Sequence, residues 1–69
     1  MEYKELKNEI KIKGLKYNYL AEQLNISRTS LYKKLNGITE FTVSEANKLS
    51  EILEIPLGSR KNFFYRWGD

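Results

Sequence analysis

The segment that most constrains the fold of this chain is residues 20–37, with the sequence LAEQLNISRTSLYKKLNG. Its spacing predicts two short helices joined by a tight turn, a helix-turn-helix over about residues 17–36. Ala21 is the small residue that lets two steeply crossed helices approach, and Leu31 is its expected contact. Asn25 falls at the turn, where asparagine tolerates the left-handed backbone better than most residues other than glycine.

Turn-forming residues divide the rest of the chain into pieces of helical length. No stretch shows the sustained apolar–polar alternation that is typical of strands. We therefore expect an all-α fold, a compact bundle of four to five short helices in one domain over residues 1–69. The predicted helices are 2–13, 17–24, a third capped by Ser27 and ended by Asn36-Gly37, a fourth begun by Thr42 with a capping box to Glu45, and a short one at about 59–65.

The expected core consists of apolar residues at helical spacing on each predicted helix and in the turns between helices. They are Tyr3, Leu6, Ile10, Leu15, Leu20, Ala21, Leu24, Ile26, Leu31, Leu35, Val43, Ala46, Leu49, Ile52, Leu53, Ile55, Leu57 and Phe63.

Composition argues against several classes of function. The chain has 69 residues with neither cysteine nor histidine, so we expect no disulfide, no metal site and no cofactor. It also has no spaced carboxylate pair and no phosphate-cradling glycine loop, and we expect that it is not an enzyme. No apolar run has the length of a membrane span, and no small-molecule site is evident. These features favour a cytoplasmic protein without membrane contact.

Charge is unevenly distributed along the sequence. Residues 27–37 contain three cations and no acid, whereas residues 40–54 contain four acids and one lysine. With a net charge of +3, this distribution predicts one basic and one acidic face. A basic face on the second helix of a helix-turn-helix favours DNA as the partner, and a merely solvated surface is the alternative.

The runs LAEQL-N-ISRTSLYKKLNG and EF-TVSEANKLSEIL-EI resemble the lambda-repressor-like, Cro/cI-type (XRE) DNA-binding domains. The YKKLNG ending and the terminal Phe-Phe pair look like small repressors of Gram-positive prophages and mobile elements. The resemblance covers about residues 5–65 and implies a five-helix bundle whose third helix reads the major groove. Three positions depart from the family pattern: Lys16-Tyr17 replaces Thr-Gln, Asn25 replaces glycine, and Lys34 stands where many members have an aliphatic residue.

Outward positions of the recognition helix, about residues 28–35, are the candidates for base contacts. Arg28 can bridge the O6 and N7 acceptors of guanine, and Thr29 offers a hydroxyl and a methyl group. Lys33 can reach guanine or a phosphate. Tyr32 is either a further base contact or a packing residue with its hydroxyl outward.

Phosphate contacts are expected around this helix, where they position the protein without selecting a sequence. The start of the second helix offers backbone N–H groups and a positive dipole end. The candidates are Tyr17, Asn18, Ser27, Lys34, Asn36 and Thr39.

The C-terminal run NFFYRW is dense in aromatic residues and closes the core or forms an apolar patch for a second copy. The expected function is that of a phage-repressor-like transcriptional regulator, which binds a pseudo-palindromic double-stranded DNA operator as a homodimer. The alternative is a protein-interaction module of antitoxin or anti-repressor type that keeps the fold without reading DNA.

Overall fold

A computed structural model describes residues 3–64, without the side chain of residue 62, and within this range it contains helices and no strand. The all-α class is confirmed. The helices are α1 (Lys4–Ile12), α2 (Tyr17–Leu24), α3 (Arg28–Leu35), α4 (Val43–Ile52) and α5 (Arg60–Phe64), with a 3₁₀ turn at Leu57–Ser59 leading into α5.

The predicted bounds are right for α2 and α3, and both predicted caps form. Thr42 and Glu45 make the capping box at the start of α4, and Ser27 caps α3. The first helix ends at Ile12, one residue before the predicted end of 2–13. Its predicted start at residue 2 lies outside the described residues, and so does the predicted end of the last helix at residue 65.

The ends of α1 to α4 share one hydrogen-bond pattern. After α1 the Leu15 N–H donates to the Ile10 carbonyl at 3.2 Å and the Gly14 N–H to the Lys11 carbonyl at 3.0 Å. These two hydrogen bonds together form the Schellman motif, which needs one residue with positive φ just after the helix. The residues in that conformation are Gly14, Asn25, Gly37 and Glu54.

Glu54 is the position at which this pattern conflicts with the residue type. It has a φ of 59°, and its N–H donates to the Glu51 carbonyl at 3.1 Å. A side chain with a Cβ in the left-handed region costs about 1–2 kcal/mol, and asparagine, unlike glutamate, partly offsets this cost at residue 25. Glutamate is not a turn-forming residue, so the sequence alone does not predict the end of α4 at this position.

We expect Glu54→Gly to raise the free energy of unfolding by about 1 kcal/mol, because glycine adopts positive φ without the steric penalty. Urea unfolding followed by circular dichroism measures it. The matched control is Asn25→Gly, which makes the same change at a residue that already tolerates positive φ and should gain only a few tenths of a kcal/mol. An equal gain at both positions would contradict the explanation.

The core lies where α1 to α4 meet and is closed by residues near the end of the described chain. Its buried apolar residues are Leu6, Ile10, Leu20, Ala21, Leu31, Leu35, Ala46, Leu49, Leu53, Ile55 and Phe64. Most of the predicted core is therefore confirmed, with Tyr3, Leu15, Leu24, Ile26, Ile52 and Phe63 partly buried against it.

Two core predictions are wrong. Val43 is 67% exposed and Leu57 is 79% exposed. Val43 opens α4 between exposed residues, so it lies at the rim of the bundle although its helical spacing matches the buried face. Leu57 follows Pro56 at the start of the 3₁₀ turn, where only the preceding Ile55 reaches the core.

Three aromatic rings form a cluster that connects α5, the beginning of α1 and the loop that precedes α4. The rings of Tyr3 and Phe41 lie 5.3 Å apart edge to face, and those of Phe41 and Phe64 lie 5.5 Å apart in the same way. Such pairs add about 0.5–1.5 kcal/mol each beyond the area that they bury. The predicted closure of the core by the C-terminal aromatics is thus seen at Phe63 and Phe64, whereas the other aromatics of the run, Tyr65 and Trp67, lie outside the described residues.

Candidate nucleic-acid interface

The position of α3 is set by its crossing with α2. Ala21 on α2 and Leu31 on α3 belong to the same buried cluster, and Ala21 is only 3% exposed. Asn25 takes the left-handed conformation at the turn, with φ 59° and ψ 41°, as its residue type predicts. Ile26 follows it and packs against the core, so the turn is held from both sides.

The N-terminus of α3 is fixed by Ser27. The Ser27 Oγ accepts a hydrogen bond from the Ser30 N–H at 3.0 Å, which satisfies one of the N–H groups that a helix leaves unpaired in its first turn. This bond orients the first turn, in which Arg28 and Thr29 are exposed. Ser27 is itself exposed, and its hydroxyl can still donate to a phosphate oxygen.

The four predicted base-reading residues share one exposed side of α3. Their positions follow the i, i+1, i+4, i+5 pattern of one helix face, and all four are exposed to solvent. Tyr32 is 57% exposed, which favours a side chain that faces solvent over one that packs against a neighbouring helix. The side that faces the core carries Leu31 and Leu35, both fully buried.

Lys34 is held within the molecule. Its Nζ lies 3.0 Å from Glu45 Oε1 and donates to the Glu40 carbonyl at 2.9 Å. Both side chains of the ion pair are mostly buried, with 14% and 16% of their surface exposed. The residue at this atypical position therefore joins the end of α3 to the start of α4, while Leu35 fills the core.

The Glu45 carboxylate is the centre of this junction. Partial burial on its own raises the pKa of Glu45, but the Thr42 N–H, which donates to Oε1 at 2.9 Å, and the Lys34 ammonium together hold that pKa below its ordinary value. Glu45 is thus ionised at neutral pH, and its charge stabilises both the capping box and the lysine. Sequence reasoning found the capping box but not Lys34 as its partner. A lysine near the end of the preceding helix was the available signal.

Asn36 is also engaged. Its Nδ2 donates to the Tyr32 carbonyl at 2.9 Å, and its Oδ1 accepts a hydrogen bond from Lys7 Nζ. An amide nitrogen carries two N–H groups, so Asn36 can donate a second hydrogen bond. Lys7 is a residue that sequence reasoning did not place at this surface, because a contact between α1 and the end of α3 depends on tertiary packing.

The N-terminus of α2 is not closed by a side-chain cap. Lys16 precedes it without a side-chain cap bond, and Tyr17 is partly buried against the core while Asn18 is exposed. The first N–H groups of a helix have no partner inside the helix and form a positive dipole end. Thr39, the last phosphate candidate, is exposed in the loop that follows α3.

Two features of other kinds of site are absent from the part of the chain that the structure describes. No group of three or more acidic residues there could hold a metal ion. None of the helices between residues 3 and 64 has the length and apolar character needed to cross a bilayer.

Comparison with known proteins identifies the family. A family model described as Helix-turn-helix (HTH_3) matches residues 6–59, which include α2, α3 and the core that supports them. Comparisons with curated proteins and with solved structures gave no match. The matched residues span most of the chain and contain the Ala21–Asn25–Leu31 crossing. The chain therefore belongs to the Cro/cI-type (XRE) family of helix-turn-helix DNA-binding domains.

Proposed function

We propose that this protein binds double-stranded DNA sequence-specifically, with α3 in the major groove, and acts as a phage-repressor-like transcriptional regulator. The observation that carries the proposal is the exposed face of α3, which combines Arg28, Thr29 and Lys33 and contains no acid. In this geometry the N-terminal residues of the helix meet base edges.

Local energetics support a functional reason for this charge. Arg28 is the first residue of α3, where a cation opposes the helix dipole and costs about 0.3–1 kcal/mol. An acidic residue would stabilise the helix there, yet the first turn of α3 has none. A cation that the helix itself disfavours, but that guanine would bind, fits a base-reading role.

The proposed phosphate contacts surround this face. The open N-terminus of α2 supplies Tyr17 and Asn18, and the Ser27 hydroxyl and Thr39 lie at the two ends of α3. Asn36 contributes its remaining N–H. Lys34 contributes charge near the backbone while it holds Glu45, so its effect on DNA affinity should be smaller than that of Lys33, which is exposed.

We further propose that the protein binds its operator as a homodimer. One recognition helix reads too few base pairs for selective binding, and a dimer places two such helices about 34 Å apart on a pseudo-palindromic site. Sedimentation at micromolar concentration with and without operator tests the dimer. A monomer in both conditions would refute it.

Selection of bound sites from random DNA, followed by shift assays across a salt series, tests the function itself. We expect a recurrent sequence whose affinity falls steeply with salt, because released counterions drive phosphate binding. Absence of any enriched sequence, together with salt-insensitive or absent binding, would reject DNA recognition. That outcome would favour the protein-interaction module.

A further inference from the structure

We propose that a ridge of three lysines on α1, Lys4, Lys7 and Lys11, binds the DNA phosphate backbone beside the segment that α3 reads. This inference rests on the proposed function, and it extends the DNA contact to a helix outside the helix-turn-helix. The ridge would add affinity without sequence preference, because lysine contacts phosphates as a point charge.

Helical spacing puts the three lysines on one side of α1. They occupy positions i, i+3 and i+7, and the ridge spans about 10 Å at 1.5 Å rise per residue. They line an open groove of about 550 Å³ together with Asn8, Ile10, Leu15 and Tyr17. Among the described residues, those that line the groove are cationic, amide-bearing, aromatic or apolar, and none is acidic.

One hydrogen bond and one shared lining residue connect the ridge to the proposed DNA surface. Lys7 Nζ donates to Asn36 Oδ1 at the end of α3. Tyr17 also lines the groove and is the first residue of α2, whose N-terminus carries two of the proposed phosphate contacts. The ridge is therefore continuous with two of the elements that would position the DNA.

The acidic residues of α1 lie away from the ridge. Glu5 and Glu9 occupy another side of the helix, and Glu9 Oε2 pairs with Lys13 Nζ at 3.3 Å. Among the described residues of α1, this separation leaves both acids on one flank, together with Lys13 at its end, and the three ridge lysines on the other. Lys4 also stands at the first position of α1, where a cation opposes the dipole. Its presence there, like that of Arg28 on α3, is not explained by helix stability.

The test compares two double variants with the same net charge. Lys4→Gln with Lys11→Gln removes the two outer ridge lysines and keeps Lys7 on Asn36. Lys13→Gln with Lys48→Gln removes two lysines that lie off the ridge. The readout is the dependence of affinity on salt, measured with the selected site and with a scrambled duplex.

We expect the ridge variant to lower the slope of log affinity against log salt by about two, on both duplexes alike, with the preference ratio unchanged. The control variant should keep nearly the wild-type slope. Equal slopes for the two variants would overturn the inference while leaving the proposed function intact. If the wild-type chain itself shows no salt-dependent DNA binding, the proposed function fails and the ridge inference fails with it.

Discussion

Arg28→Ala is expected to reduce the preference for the selected site over scrambled DNA by about 5- to 150-fold, corresponding to about 1–3 kcal/mol for a lost bidentate contact to guanine. Arg28 is exposed in the first turn of α3 and is oriented by the Ser27 cap. Affinity for the scrambled duplex should fall much less, because there the arginine contributes charge alone. Shift assays at one fixed salt concentration measure both values.

The fold should be unaffected by this change. Arg28 opposes the dipole of α3, and alanine is the best helix former, so Arg28→Ala should leave the free energy of unfolding unchanged or raise it slightly. A loss of sequence preference would then reflect recognition rather than stability. Circular dichroism of the variant checks this before any DNA is added.

Two further variants separate geometry from charge. Arg28→Lys keeps the charge and loses the planar fork, so it should retain affinity for scrambled DNA and lose part of the preference. Lys48→Ala removes an exposed cation from α4 and should leave the preference ratio unchanged. If Arg28→Ala lowers the affinity for the selected and the scrambled duplex by the same factor, Arg28 contacts phosphate and does not read a base.

Much of this fold could be predicted from local features of the sequence. The Ser27 and Thr42 caps, Gly14 and Asn25 each act within a few residues, so their effects on helix ends are visible in the sequence itself. Helical spacing also gave most of the core, because a buried stripe is a property of one helix. The crossing at Ala21 followed from side-chain size.

Features that depend on how helices pack could not be predicted in the same way. Val43 has the right helical spacing, but whether a neighbouring element covers it is a tertiary question. The pair between Lys34 and Glu45 joins two helices across a loop, and Lys7 reaches Asn36 from 29 residues away in the chain. The lysine ridge was hidden for the same reason, since charge counts along the sequence mix its residues with the acids on the other flank of α1.

Leu31→Ala should lower the free energy of unfolding by about 2–5 kcal/mol, the largest effect that we expect from any single substitution discussed above. Leu31 is fully buried where α3 meets α2, and truncation leaves a cavity at the contact that orients the recognition helix. A single core in a domain this small supplies only about 3–5 kcal/mol, so a substantial fraction of the variant should be unfolded at room temperature. Urea or thermal unfolding followed by circular dichroism measures the change.

Leu57→Ala is the matched control, because it makes the same truncation at a leucine that is 79% exposed. It should change the free energy of unfolding by less than about 0.5 kcal/mol, as surface substitutions usually do. The DNA affinity of Leu31→Ala should fall in proportion to its folded fraction. It should recover at low temperature, and also at high protein concentration if the dimer forms. The reason is that association with a second copy or with DNA stabilises the folded state. Similar losses of stability in the two variants would contradict this prediction, because they would mean that burial of Leu31 where α3 meets α2 does not hold α3 in place.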